Sequence, residues 1–310
     1  MVERYLGIAE EVTLGTWVAP TDYLEILTES LTYDLRKQTI HTSRKRAPTL
    51  LIEGRPVAHG DIALPFFPEK ASKLLKWALG NVTTTTLEPG VAYQHVIKPA
   101  DDVKSFSLEV ALEIATRKIA GCLMQGLRFE ATLTNPILLT GTVAGCSEVK
   151  GSAGTPAYTT TRPFNFREAI IHIAGAAKTY VGAFDVRIDN NIPVDDLFRL
   201  GASGFKRIEL GPIGVTGTIE TDFKQADEYD RFLAGSSFAL QMKAEGDLIT
   251  GSATNKYTLQ VDVPKCLYQR DSVAHIDART PFRVAIPFSA IYDATDDIIK
   301  VTLKNGEATL

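Results

Sequence analysis

The residues on which chemistry could rest are five histidines, three adjacent aspartate pairs and three cysteines. His41, His59, His95, His172 and His275 show no HxH or HExxH spacing, the arrangements that bring two imidazoles to one metal ion. They read as surface or hydrogen-bonded core histidines. Asp101-Asp102, Asp195-Asp196 and Asp296-Asp297 each lie beside turn-like sequence. Aspartate there bonds the nearby backbone, so turn chemistry explains the pairs better than a catalytic dyad. Cys122, Cys146 and Cys266 are odd in number and lack CxxC spacing, which reads as buried reduced thiols, with a Cys122–Cys146 bridge left open. No GxSxG, P-loop or GxGxxG occurs. The five glycines between Gly201 and Gly217 are interrupted by Phe, Ile and Pro and read as a loop, not a phosphate cradle. No catalytic site, metal or cofactor is expected.

The bulk properties narrow the class further. The chain has 310 residues, room for two domains of about 150 residues each. Its 45% hydrophobic and 23% charged residues are ordinary for a folded protein. A net charge of −4 argues against a general nucleic-acid binder. Residues 1–15 carry Glu3, Glu10 and Glu11 and lack the apolar core of a signal peptide. The most apolar stretch, 169–177, contains His172 and is far shorter than the ~20 residues of a membrane span. A soluble protein with no membrane partner is the expectation.

With no site to position, the elements themselves carry the information, and they recur. Leu31, Tyr33 and Leu35 alternate with polar residues, as do Phe184, Val186 and Ile188. Each such strand leads into a long polar connection and then into a glycine-centred strand, VAHGDIALPF (57–66) and GVTGTIETDF (214–223). Gly60, Ile62 and Phe66 align with Gly217, Ile219 and Phe223 without a gap. A helix follows in each half. Ala71, Leu74, Trp77 and Ala78 lie behind Pro68 and before Gly80; Ala226, Tyr229, Phe232 and Leu233 lie before Gly235.

Further strands follow. Phe106 to Ile114 alternate, matched by Phe238, Leu240 and Met242; Leu127 to Leu133 are set against Tyr257 to Val263; 137–144 against 282–288. Pro287 marks the last as an edge strand or a bulge. The expectation is a mainly β protein of two tandem sandwich or barrel domains, each with one flanking α-helix. The boundaries are 1–150 with an N-terminal arm and an 81–104 insertion, a Gly/Ser/Thr/Pro-rich linker at 151–163, and 164–310.

This pattern resembles siphophage tail tube proteins, also called major tail proteins, in a duplicated-domain form. The resemblance rests on GIAEEVTLGTWVAP (7–20), on the Pro-Ala-Asp-Asp segment before a Ser-Phe-Ser-Leu-Glu-Val strand (99–110), and on Gly121-Cys122 ahead of a strand hairpin. It implies a β-sandwich whose inner sheets join around a ring, with rings stacked into a hollow tube for genome ejection. Two domains per chain imply a homotrimeric ring. The resemblance also implies a virion-tail location, assembly in the host cytoplasm, and no enzymatic activity. Its partners would be further copies of the chain, a tape measure protein, and tail terminator and tail-tip proteins. Double-stranded DNA would pass through without specific binding.

Two candidate surfaces follow from charge. Glu109, Glu113 and Glu130 lie on polar faces of strands and are candidates to line the lumen, where acidity repels phosphates. Arg36, Lys37, Arg44, Lys45 and Arg46 make the first long connection basic, and Asp195 and Asp196 lie in its second-half counterpart. These are candidates for contact between rings. A carbohydrate-binding or carbohydrate-active β-sandwich, or a secretion-system tube protein of related fold, remains the alternative. With two tryptophans in the chain, Trp17 and Trp77, the aromatic platform of a sugar site is thin.

Overall fold

The computed structural model describes residues 4–112, 114–222, 227–269 and 283–310. Glu113, Phe223, Ala226, His275 and Phe282, used above, lie outside the described residues. The first half carries β1 (Tyr5–Glu10), β2 (Asp22–Leu24), β3 (Thr28–Glu29), β4 (Thr32–Asp34), β5 (Gln38–Ile40), β6 (Leu50–Ile52) and β7 (Val57–Pro65). After these come α1 (Ser72–Leu79), β8 (Gly80–Glu88), β9 (Ala92–Pro99), β10 (Phe106–Ala111), β11 (Thr116–Thr132), β12 (Leu138–Gly145) and β13 (Ser147–Gly151). The second half has β14 (Ala169–Ile173), β15 (Ala176–Lys178), β16 (Val181–Asp189) and β17 (Gly214–Asp222). It ends with α2 (Asp227–Leu233), β18 (Phe238–Leu248), β19 (Lys256–Tyr268), β20 (Arg283–Ala290) and β21 (Lys300–Asn305). The protein is mainly β, as expected.

One sheet runs through both halves in the order β3/β4, β7, β12, β11, β16, β17, β20, antiparallel throughout. Its inner face is apolar, with Ile62, Leu64, Phe129, Leu139, Phe184, Val186, Ile219 and Phe288 buried. Two outer sheets lie over it. The first is β2–β1–β10–β11–β13, in which the leading residues of β11 take part before the strand bends at Gly121 (φ +66°). The second is β15–β14–β18–β19–β21–β9–β8. Residues 81–104, expected as an insertion of the first half, carry most of the hairpin β8–β9. Strand β9 pairs with β21 near the end of the chain. Threonines 83–86 suit such a strand, because β-branched side chains fit a pleated surface.

The helices differ more than their sequences do. On α1, Leu74, Leu75, Trp77 and Ala78 are buried, and Gly80 (φ +91°) ends the helix. Trp77 stacks on Phe106 with ring centroids 4.4 Å apart, and its Nε1 donates to Glu10 Oε2 at 3.1 Å. Burial of a large side chain of this kind stabilises by about 1.5–3 kcal/mol. On α2, Tyr229 and Phe232 are only half-buried and Leu233 is 63% exposed. Glu228, not an apolar residue, is the buried one, and it accepts from Tyr268 Oη at 2.7 Å.

Several local geometries occur twice. Arg36 and Asn191 both adopt φ +46°. The Gly54 N–H donates to Leu35 O at 3.2 Å, and the Gly211 N–H to Asn190 O at 3.0 Å. A Cβ on Gly54 would lie 2.0 Å from Arg36 O, and one on Gly211 would lie 2.2 Å from Asn191 O. Gly60 and Gly217 follow at equal distance along the chain, pressed on Ser30 O and Asp185 O. A bulge between Phe106 and Leu108 recurs between Phe238 and Leu240, opposite Cys122 and Cys266 respectively. That register sets Ile119 against Val263, so the sequence pairing of 127–133 with 257–263 is displaced along the strand. The cause is the length of β11, which serves two sheets. Pro287 lies where the pairing of β20 with β19 stops, and its carbonyl accepts from Gln269 N at 3.0 Å.

Residues 152–163 hold no strand, but they are tied down. Lys70 Nζ donates to Ala157 O at 2.7 Å, and Thr159 and Thr161 both donate to Glu69 Oε2, at 2.8 and 2.9 Å. Arg162 pairs with Asp247 and Glu168. The larger of two apolar clusters spans both halves, from Leu6 to Leu303, and the smaller, around Leu197 and Phe205, joins them as well.

Buried His95 fastens the β8–β9 hairpin to the last strand. Its Nδ1 lies 2.9 Å from Thr84 Oγ1, and its Nε2 faces Asn305 Oδ1 at 3.0 Å and Glu307 O at 2.9 Å. Nε2 therefore donates and Nδ1 accepts in a neutral ring.

Replacing Gly54 or Gly211 by alanine should each cost about 2 kcal/mol or more in urea unfolding, because the new methyl meets a backbone carbonyl. Gly182→Ala, with nothing closer than 3.9 Å, should leave stability nearly unchanged. Burial holds the His95 pKa below its ordinary 6.5. The unfolded chain therefore takes up the proton first, and the stability His95 contributes is full above pH 6.5 and falls as the pH drops through it. Burial raises the Glu307 carboxyl pKa, which acts in the opposite sense on acidification. Melting curves at about pH 7.5 and about pH 5.5 should show a larger loss for the wild type than for His95→Gln, which retains Glu307.

Candidate self-assembly surfaces

Because side chains alternate along a strand, the continuous sheet has a polar second face. Directly opposed residues share that face. It carries Asp61 and Thr142, Thr140, Arg128 and Glu130, Asp185, Arg187 and Asp189, then Thr216, Thr218, Glu220 and Asp222. Among the described side chains of that face carboxylates outnumber guanidiniums, and Arg128 and Arg187 are both engaged. Arg128 Nε lies 2.8 Å from Asp185 Oδ2 across the β11–β16 seam, and Arg187 Nη2 lies 2.9 Å from Asp189 Oδ1. Threonines, alanines, Gly126, Pro65, Leu138 and Pro287 fill the rest, and the face is acidic.

Glu130 lies on this face, as the sequence led one to expect. Glu109 does not; it is 2% exposed and accepts from Tyr5 Oη at 2.6 Å, with Gly154 N at 3.2 Å and Lys118 Nζ at 3.7 Å. Strand β10 is buried on both faces, because Glu11, Val18 and Gly154 bond to Ser107 and Glu109 over its polar side, so alternation there does not mark a solvent face. Asp185, Asp189, Glu220 and Asp222 are better placed, and the alternation of β16 was the signal for the first two.

The basic connection also differs from expectation. Arg36 pairs with Asp195 of the same chain, and Arg55 Nη1 donates to Asp195 O at 2.8 Å. Thus two of the residues picked out for contacts between rings meet each other within one subunit. Asp196 is exposed, and its carbonyl accepts from Arg199 Nη1 at 2.7 Å. Lys37, Arg44, Lys45 and Arg46 are exposed on or beside the hairpin β5–β6, which forms a sheet of its own. Leu50, Leu51 and Ile52 on that hairpin are exposed as well, Leu51 by 62%. A lone two-stranded hairpin is marginal in water, and apolar residues along it mark a surface that another element covers. Their spacing offered no signal beyond three apolar residues in a polar stretch.

Among the described residues, β3 and β4 have no strand on the side away from β7, and β8 has none on the side away from β9. Such edges are templates for further strands. The three cysteines are unbridged and buried; burial raises the Cys122 thiol well above its usual range and pushes Cys266 up to about 12. Among the described residues, no three His, Cys, Asp or Glu side chains gather as a metal site.

No curated protein matches the chain. The family model for phage tail tube proteins matches residues 2–290, nearly its whole length. A long sheet through both halves with an acidic face, exposed edges and an apolar hairpin reaching outward suits a self-assembling wall, and the family match gives that wall its place: this chain belongs to the phage tail tube protein family and is a structural component of the virion tail.

Proposed function

We propose that three copies of this chain form a ring whose inner wall is the polar face of the continuous sheet, and that rings stack into the tube through which a siphophage delivers its genome. The observation that carries this reading is the β11–β16 pairing, in which a strand of the first half joins a strand of the second within one sheet. The repeated glycine contacts and bulges support a chain made of two copies of one domain, 1–150 and 164–310. Joined head to tail in the same manner, three chains give six domain positions. The open β3/β4 edge is where the next subunit continues the sheet, and closure removes the exposed edge.

An acidic lumen fits the cargo. A basic wall would take up phosphates by counterion release and stall DNA, whereas carboxylates leave the duplex free to slide. On this reading a tape measure protein fills the lumen before DNA enters, and terminator and tip proteins cap the ends. The basic tip of the β5–β6 hairpin, Arg44 to Arg46, is the part that reaches an acidic surface of the adjacent ring.

Negative-stain microscopy of the concentrated protein should show hollow tubes. A protein that stays monomeric at every concentration, or that cleaves a glycan, would count against this reading. Changing Arg44, Lys45 and Arg46 together to serine should shorten tubes and remove most of their sensitivity to salt between about 0.05 and 0.5 M, since exposed charges are screened over this range. Tubes of unchanged length and salt response would exclude the tip from stacking.

A further inference from the structure

The continuous sheet repeats a four-strand unit, and the rungs that define the repeat agree with one another. In the first half Met124 opposes Val143, and Val143 opposes Gly60; in the second half Tyr268 opposes Phe288, and Phe288 opposes Gly217. Gly60 is pressed on Ser30 O and Gly217 on Asp185 O. The two rows equate Met124 with Tyr268 and Ser30 with Asp185. Counted on from there, Leu35 takes the place of Asn190, and each of these carbonyls accepts from a glycine N–H, Gly54 at 3.2 Å and Gly211 at 3.0 Å. The unit β3/β4–β7–β12–β11 therefore corresponds to β16–β17–β20 and the end of β19.

Inside the chain the two units are joined along β11 and β16. At the end of that ladder the Asn190 N–H donates to Gln125 O at 2.8 Å. The equivalent edges are both open. Among the described residues, β4 has no strand on the side away from β7, and β19 past Cys266 has none on the side away from β20. Gln269 follows Tyr268 as Gln125 follows Met124; it is exposed, and its N–H is held on the β20 side by Pro287 O at 3.0 Å. Leu35 is half-buried, whereas Asn190, inside its joint, is buried.

We infer that these two open edges join neighbouring copies: the β4 edge of one subunit meets the free side of β19 in the adjacent subunit of the same ring, with Leu35 opposite Gln269 and the Leu35 N–H donating to the Gln269 carbonyl. This rests on the ring reading and supplies the partner strand and the register that it leaves open. The partner is a second copy because the same joint already exists between the halves of one chain. A unit that begins with one of these edges and ends with the other continues head to tail without a new kind of contact. Leu35 then brings an apolar side chain to a joint where Asn190 brings an amide.

The test is a chain carrying both Leu35→Cys and Gln269→Cys, assembled and then oxidised. Directly opposed residues of antiparallel strands have Cα atoms about 4.5–5.5 Å apart, within the reach of a disulfide. The native thiols are buried and serve as background. Denaturing gels should show covalent dimers and trimers and nothing larger, and each single variant should give monomer. The displaced pair Thr32→Cys with Gln269→Cys should also stay monomeric, and its cross-linking in place of the first pair would overturn the register. Tubes whose Leu35→Cys, Gln269→Cys chains remain monomeric on the gel would overturn the contact while leaving the ring reading intact. Wild-type protein that forms no rings would overturn both. Should the double variant fail to assemble, the wild type still decides: amide hydrogen exchange over residues 32–35 should slow by at least about tenfold on assembly. An unchanged rate there in assembled tubes would overturn the contact.

Discussion

The pairing of β11 with β16 is the constraint from which the rest of the molecule follows. Gly126 opposes Asp189 and Thr132 opposes Ala183, with an unbroken antiparallel register between them. That register aligns Phe129 with Val186 on the buried side and Glu130 with Asp185 on the polar side. A slip of one residue would turn the apolar set of one half toward solvent, so register here is enforced by both faces. The Arg128–Asp185 bond spans the seam, but it is partly exposed and contributes at most about 1 kcal/mol. What holds the seam is the apolar core beneath it.

The seam alone would act as a hinge, and the outer wall prevents that. Strand β21, close to the end of the chain, lies between β19 and the first half's β9. His95 locks that position through a buried hydrogen bond to Asn305 and a part-buried one to Glu307 O. Residues 152–163 cross the junction under ties to Glu69, Lys70 and Asp247. Inner sheet, outer sheet and crossing segment therefore fix the two halves as one rigid unit.

Much of this was legible in the sequence, and the failures share a cause. Alternation locates β16, the repeated glycine-centred pattern locates β7 and β17, and glycine-bracketed apolar spacing locates α1, because each of these elements has one solvent side. β10 has none, so Glu109 was placed on a polar face that is covered by another part of the chain. That the threonines at 83–86 form a strand is not visible locally, since the hairpin β8–β9 is anchored by β21, which is distant in sequence. Arg36 and Asp195 stand out in sequence by the charge of their connections, and in the fold they pair with each other. The α2 stripe was found but not its exposure, which depends on what lies over the helix. Local pattern reports local geometry; coverage by remote chain is invisible to it.

The central claim is that one chain supplies two adjacent positions of the tube wall. Helical reconstruction of assembled tubes by electron cryomicroscopy tests it most directly. The account predicts three chains per ring, six similar domain positions alternating between the two halves, and the Asp61–Glu130–Asp185 face toward the lumen. Six chains per ring, or that face turned outward, would contradict it.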